Sequence, residues 1–337
     1  MIELINRMAK IDQPLITPAA SNLLFSSNFA ANTALDAYVF GGAAARRNFT
    51  NAVDNQTGFR WPYNRGSDQA LDALYSSILF IRNGVTLSGA NVGTYGTFAI
   101  TDATGPDDTT EKVLDMSIID GGAAWNSQMN LEFQRIGNGT GLSSPDLNDF
   151  YFSYYFKRPA SFLSALSVGQ VAVQWDVKTG GFANLYGGDL RFYGMLYKGS
   201  DGFLYSYAGT DKHANGTMTH DPSGIIPFAP LSTPYWLNTN KTVQIPVDEW
   251  VKAEVYIHRH ATKGLCLVAY NDQITCQQIG RTLGEYGNKI GRIFPFLLYS
   301  QLSAISGSMC RLRFYDYPPG DSVLQMPAAR LLYKYAA

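Results

Sequence analysis

Charge is scarce in this chain. Asp, Glu, Lys and Arg make up 16% of its 337 residues, against roughly a quarter in ordinary soluble domains. The formal net charge is -1, so there is no basic excess of the kind that a phosphate backbone or an anionic membrane surface rewards. Neither nucleic acid nor membrane is therefore an expected partner. Long apolar runs are missing as well, and no stretch has the length of unbroken apolar sequence that spans a bilayer. The first residues, Met1 to Arg7, hold no basic region followed by an apolar one, which leads us to expect a soluble chain with no signal peptide.

Cysteine is nearly absent too. Cys266, Cys276 and Cys310 are an odd number without metal-type spacing, so neither a metal site nor a cofactor is expected from them. Cys266 and Cys276 flank a hairpin turn at Asn271 and Asp272, where a cross-strand bridge is conceivable, but reduced core thiols are the expectation in an unexported chain. His258 and His260 share a strand face with Glu254 and Tyr256. Two ligands on one strand without a third at clear spacing read as a polar face rather than a metal centre. Phosphate loops and nucleophile elbows are missing by pattern. The five Asn-x-Ser/Thr sequons, at Asn48, Asn55, Asn138, Asn215 and Asn240, follow from a composition rich in Asn and Thr.

What the chain does have is aromatic residues, 13% of the total with 21 Tyr among them, and 32 Gly. Residues 1–21 read as a polar arm broken by Pro14 and Pro18, of a kind that docks on a neighbour. After Ser67 and Asp68, the residues Leu71, Leu74, Tyr75, Ile78 and Leu79 recur at helical spacing, which predicts one helix ending near Arg82-Asn83-Gly84. Beyond it the pattern alternates. Residues 113–119, 129–135, 151–156, 171–177 and 250–258 read as strands separated by turn signals such as Gly137-Asn138-Gly139, Asp201-Gly202 and Asn271-Asp272. Successive strands with one helix and no strand–helix alternation predict an all-β, antiparallel two-sheet sandwich of jelly-roll type. We expect one domain over residues 22–337, with 22–110 as an N-terminal elaboration and 110–317 as the core.

One segment is more specific. Gly180-Gly181-Phe182-Ala183-Asn184-Leu185-Tyr186-Gly187-Gly188 is followed by Met195, a turn at Gly202, and Tyr205 and Tyr207. This resembles the core signature of alginate-lyase-like polysaccharide lyases of the family-fourteen type, a Gly-Gly-Lys-Leu-Pro-Gly-Leu-Tyr-Gly-Gly loop, a Ser-x-Arg-x-Met-Trp strand and a strand ending Tyr-x-Tyr. The resemblance spans roughly residues 110–317 and implies a concanavalin A-like jelly roll. It also implies a site that is altered: Phe182 stands in place of the family's Lys, and Arg191 and Tyr193 stand in place of its Ser and Arg, while Tyr205 and Tyr207 are kept. A related lyase pattern is incomplete, because Gln174-Trp175-Asp176 has Asp where that pattern needs His. Elimination from a uronate needs a cation on the carboxylate and a base or Tyr pair for proton transfer. Paired carboxylates for hydrolysis are represented only by Glu132, beside Gln134, with Asp176 on another strand.

The expected role is accordingly non-catalytic: a carbohydrate-binding or structural jelly roll whose partner is a polysaccharide or surface glycan. Gln134, Gln174, Asp176, Tyr186, Arg191, Tyr193, Tyr205 and Tyr207 are the expected glycan-binding residues. Tyr154, Trp175, Tyr193, Tyr205 and Tyr207 are expected on polar strand faces, where rings stack on sugars. The arm and low charge suit a virion surface, decoration or appendage component that self-associates, or docks on an assembly partner, through residues 1–21. The alternative is a lyase on an acidic polysaccharide, with Arg191 as carboxylate clamp beside Tyr193 and Tyr205 and Tyr207 as proton-transfer residues.

Overall fold

In a computed structural model, the chain is described over residues 16–30, 33, 35–49, 52–62, 74–135, 147–179, 190–212, 233–283 and 290–336. It is an all-β jelly-roll sandwich of two antiparallel sheets. Numbered in chain order, sheet one runs β15 (Gln273–Gly280), β14 (Gly264–Tyr270), β13 (Val251–His258), β8 (Asp149–Lys157), β17 (Ile305–Tyr315), β6 (Thr110–Ile118) and β5 (Gly96–Thr104), with β1 (Leu23–Ser27) also paired to β17. Sheet two runs β12 (Thr233–Thr239), β11 (Leu204–Lys212), β10 (Arg191–Lys198), β9 (Val171–Thr179), β16 (Ile290–Ser300), β7 (Ser127–Arg135), β4 (Leu74–Arg82), β3 (Ala44–Asn48) and β2 (Val39–Gly41). The first strands thus enter both sheets: β1 and β5 join sheet one, while β2, β3 and β4 extend sheet two.

Alternation explains the core. Each strand sends every second side chain between the sheets, where Phe25, Trp61, Phe133, Phe152, Trp175 and Phe314 form one aromatic cluster. Phe133 of sheet two meets Phe314 of sheet one edge-on at 4.9 Å, an arrangement that adds to plain area burial. The hairpin between β14 and β15 turns at Asn271 and Asp272, both with positive φ (45° and 60°), as a primed two-residue turn demands. Among the cysteines, Cys276 pairs in register with Val268, two residues from Cys266, and all three thiols are free and buried.

The stripe from Leu74 to Arg82 is not helical. It forms β4, paired to β3 on one side and β7 on the other, with Ile78 and Phe80 in the inter-sheet core. Residues 67–73 of the expected helix lie outside the described residues, as do the arm residues 1–15, the Gly137-Asn138-Gly139 turn and the segment 180–189 that carries Phe182 and Tyr186. The described helices fall elsewhere: α1 (Val92–Tyr95), α2 (Ala160–Ala165) and α3 (Gln325–Ala336). Ser322 opens α3, its hydroxyl accepting the Leu324 N–H, and Leu324 and Ala328 pack with Leu331 and Leu332 on Tyr256, Leu265 and Leu267. The C-terminal helix thereby covers part of the outer face of sheet one. No described helix is long and apolar enough to cross a membrane.

A bulge in β9 decides which of its side chains face outward. Gly194 pairs with Trp175 and Met195 with Val173, so Gln174 is the extra residue. Trp175 and Gln174 consequently both point inward, and Asp176 and Lys178 point outward. Gly194 is required opposite Trp175, because a Cβ there would sit 2.1 Å from the indole Nε1.

Candidate functional site: the outer face of sheet two

Two cross-strand rows of side chains dominate this face. In the first, Tyr75 of β4 stands opposite Gln134 of β7, then Arg292 of β16, Lys178 of β9 and Arg191 of β10, and the backbone register continues to Asp211 of β11. In the second, Ser77 is opposite Glu132, and on the far side of β16 Phe294 pairs with Asp176 and Asp176 with Tyr193. Arg46 of β3 reaches over from the sheet edge. Its guanidinium donates to Glu132 at 2.8 Å and to the Tyr75 hydroxyl at 3.2 Å.

The carboxylates are the floor and the cations the rim. Glu132 is fully buried and accepts from Ser77 Oγ at 3.0 Å as well as from Arg46. Asp176 is held by Arg191 Nε at 2.9 Å and Lys178 Nζ at 3.6 Å. One oxygen of each acid, Glu132 Oε2 and Asp176 Oδ1, has no hydrogen-bond partner despite its burial. The side chains of Arg46, Lys178 and Arg191 are 30%, 33% and 26% exposed. Lys178 and Arg292 lie over the Phe294 ring at 5.3 and 5.8 Å, and Arg191 over Tyr193 at 5.2 Å, cation–π contacts that hold the charged heads above aromatic carbon. Burial pulls the Arg292 pKa down while Glu132 and Tyr75 push it back; burial and the Glu132 charge raise Tyr75 to about 12. Among the described side chains, then, four cations stand over two carboxylates, a local positive excess in a chain whose net charge is -1.

Six of the eight residues expected to bind glycan share this face: Gln134, Asp176, Arg191, Tyr193, Tyr205 and Tyr207. Tyr186 lies outside the described residues. Gln174 does not share the face, because the bulge turns it inward, where its carbonyl oxygen accepts from Arg158 Nη2 at 2.7 Å and its amide donates to Tyr154 Oη at 3.2 Å. Tyr154 and Trp175 likewise belong to the inter-sheet core, which corrects their expected place on a polar face. Arg46, Tyr75, Lys178, Arg292 and Phe294 were missed. Lys178 and Phe294 each carry a local signal, standing two residues from Asp176 and Arg292, but which strands are neighbours is a long-range fact.

The tyrosines form a separate block. Tyr193, Tyr205 and Tyr207 are 3%, 6% and 3% exposed and pack with Tyr197, Met195, Val171, Val173 and Leu297, so they are not an open ring platform. Tyr207 Oη points at Met195 Sδ, 2.6 Å away. The Tyr205 hydroxyl donates to Asp201 at 2.5 Å, and that bond raises its pKa, the opposite of what a proton-abstracting phenolate requires. Tyr207 pairs with Met195, four residues along β10 from Arg191, or roughly 13 Å. His258 Nδ1 contacts Asp149 at 2.9 Å, while His260 Nδ1 accepts the backbone N–H of Thr262 and Lys263. Among the described residues no cluster of three or more His, Cys, Asp or Glu could hold a metal.

Fold and site together define a jelly-roll sandwich with a cation-rimmed outer face. No family model and no curated protein matches the chain. Among solved structures it is similar to alginate lyase Aly36B, at 10% identity and a TM-score of 0.37 over 88% of this chain and 97% of that one. It is also similar to alginate lyase vAL-1 from Chlorella virus, at 11% identity and a TM-score of 0.35 over 88% and 100%. A third is the CBM2 module of the evolved Dit of Lactobacillus casei BL23 phage J-1, at 10% identity and 0.34 over 89% and 97%. Likeness of this degree assigns no role to any residue of this chain.

Proposed function

We propose that the chain binds a glycan on the outer face of sheet two without cleaving it, and that the glycan carries carboxylates. The observation that carries this reading is the array of Arg46, Arg292, Lys178 and Arg191 over Glu132 and Asp176. Phe182, in place of the resembled family's Lys, supplies no charge to meet an acid sugar's carboxylate. Lys178 and Arg292, brought from other strands to the side of Arg191, supply that charge. What argues against cleavage is the proton-transfer pair: Tyr205 is engaged by Asp201, and Tyr207 lies in the Met195 row, away from the cations.

The test is calorimetric titration with alginate or polyglucuronate oligosaccharides, alongside ultraviolet absorbance of the unsaturated product. Binding that weakens as salt rises, with flat absorbance, is the expected result. Rising absorbance that vanishes in Tyr207→Phe would establish the lyase instead, and no binding would overturn the proposal. A virion or appendage role through residues 1–21 belongs to the same proposal. Removing residues 1–20 should leave the melting temperature unchanged and abolish self-association in sedimentation; unchanged assembly would remove the arm from the account.

A further inference from the structure

Sheet one carries a concavity of about 290 Å³ on the part of its outer face formed by β5, β6, β17 and β8. Its floor consists of two cross-strand rows. Thr97, Ser117 and Ser306 stand opposite one another, and beside them run Ala99, Asp115, Ser308 and Lys157. Pro159 and Asp248 form the wall. Asp115 is fixed by the hydroxyls of Ser308, at 2.5 Å, and Thr101. Among the described residues Lys157 has the Trp250 ring rather than a carboxylate beside its ammonium, at 5.2 Å, and the indole N–H is anchored on Thr104 O at 2.8 Å.

A solvated sheet face needs no wall, and its cations commonly meet acids. On this same sheet Arg311 does so, chelated by Glu111 at 2.9 Å and by Asp107 at 2.7 Å. Lys157 is instead held over an aromatic ring at the edge of a hollow, two strands or about 10 Å from Asp115. The hydroxyls between them repeat at about 4.8 Å across strands and about 6.7 Å along them, the scale of one sugar ring. A volume near the lower end for ligand sites, about 300 Å³, holds one such ring rather than an oligosaccharide. The carboxylates of Asp115 and Asp248 outnumber the one ammonium of Lys157, which disfavours an anion such as a uronate or a phosphate and leaves a neutral ligand with hydroxyls to donate.

We infer that this hollow binds a single neutral hexose residue, Asp115 accepting from its hydroxyls and Lys157, Ser117, Thr97 and Ser306 completing the contacts. The site is independent of the face on sheet two. The experiment is saturation-transfer NMR on the full chain with methyl glucoside, mannoside and galactoside, and methyl glucuronide as the charged comparison. At least one neutral glycoside should give a signal that falls at least tenfold in Ala99→Trp, which fills the hollow from an exposed position, and in Ser117→Val. Melting temperature and acidic-oligosaccharide binding should be unchanged in Ala99→Trp, so that the two sites fail separately. A signal that survives Ala99→Trp, a stronger response to the glucuronide, or no response to any neutral glycoside would each overturn the assignment.

Discussion

Replacing Lys178 and Arg191 by Gln, together with Asp176→Asn, is expected to weaken binding of an acidic oligosaccharide by about 100-fold. Each charge-assisted hydrogen bond contributes about 1.5–3 kcal/mol, and two of them give roughly 3 kcal/mol or more, a factor of ten for every 1.4. The third change is needed because Asp176 is held by both cations, and a buried carboxylate stripped of its partners costs about 3–5 kcal/mol of stability. With Asn there, the melting temperature should stay close to that of the parent protein, so that lost affinity is not lost fold. The double variant without Asp176→Asn should melt measurably lower. Calorimetry at low ionic strength reads the affinity, and an acidic ligand held equally well by the triple variant would remove the cation row from the proposed function.

A second large effect is expected at Asp54. Its carboxylate accepts from Ser27 Oγ and the Asn28 N–H at 2.7 Å, from the Gln56 and Thr57 N–H groups at 3.0 Å, and from the Ala30 N–H at 3.3 Å, tying the segment after β1 to the 54–57 turn. Asp54→Ala leaves these donors without their acceptor, and at about 1–3 kcal/mol for each buried unsatisfied group a loss of at least about 3 kcal/mol is expected in chemical denaturation. Asp54→Asn keeps one acceptor oxygen and should fall between the two. Burial raises the Asp54 pKa, but the bonds from Ser27, Thr57, Ala30 and Gln56 outweigh it and the net shift is downward. A depressed folded pKa means stability that is present above the ordinary carboxylate pKa of about 3.9 and lost as pH falls through the folded value. The acid limb of the stability curve should therefore be shallower in Asp54→Ala; equal slopes would deny the carboxylate its role.

Most of the sandwich was legible because strand alternation is local. The runs beginning near Val113, Met129, Tyr151, Val171 and Trp250 all appear as β6, β7, β8, β9 and β13. The segment Leu74–Arg82 misleads because its apolar residues fit both periods: Leu74, Ile78 and Leu79 suit a helix, while Ile78 and Phe80 suit one strand face, and pairing with β3 and β7 decides. Helix α3 was missed because Pro327 and a short apolar stripe look like a chain end, although Pro in a first turn sacrifices no helical bond. In the candidate site, Arg191 and Tyr193 could be placed on one face from their spacing. Trp175 and Gln174 could not, since one extra residue inverts the face of everything on one side of it. Arg46, Arg292 and Lys178 meet only through register between distant strands, which no local period encodes.

Strand β17 is bonded to β1, β6 and β8, and Ser21 of the segment before β1 reaches Tyr317, 296 residues away. During translation at about 5–20 residues per second, roughly 15–55 s separate the emergence of β1 from that of its partner. Through that interval Phe25 has no β17 to lie against, and sheet one cannot close until the ribosome has passed Tyr315. Apolar strand faces of sheet one thus wait uncovered on the nascent chain, and the folding yield should respond to elongation rate more than that of a protein of equal size built from short-range hairpins.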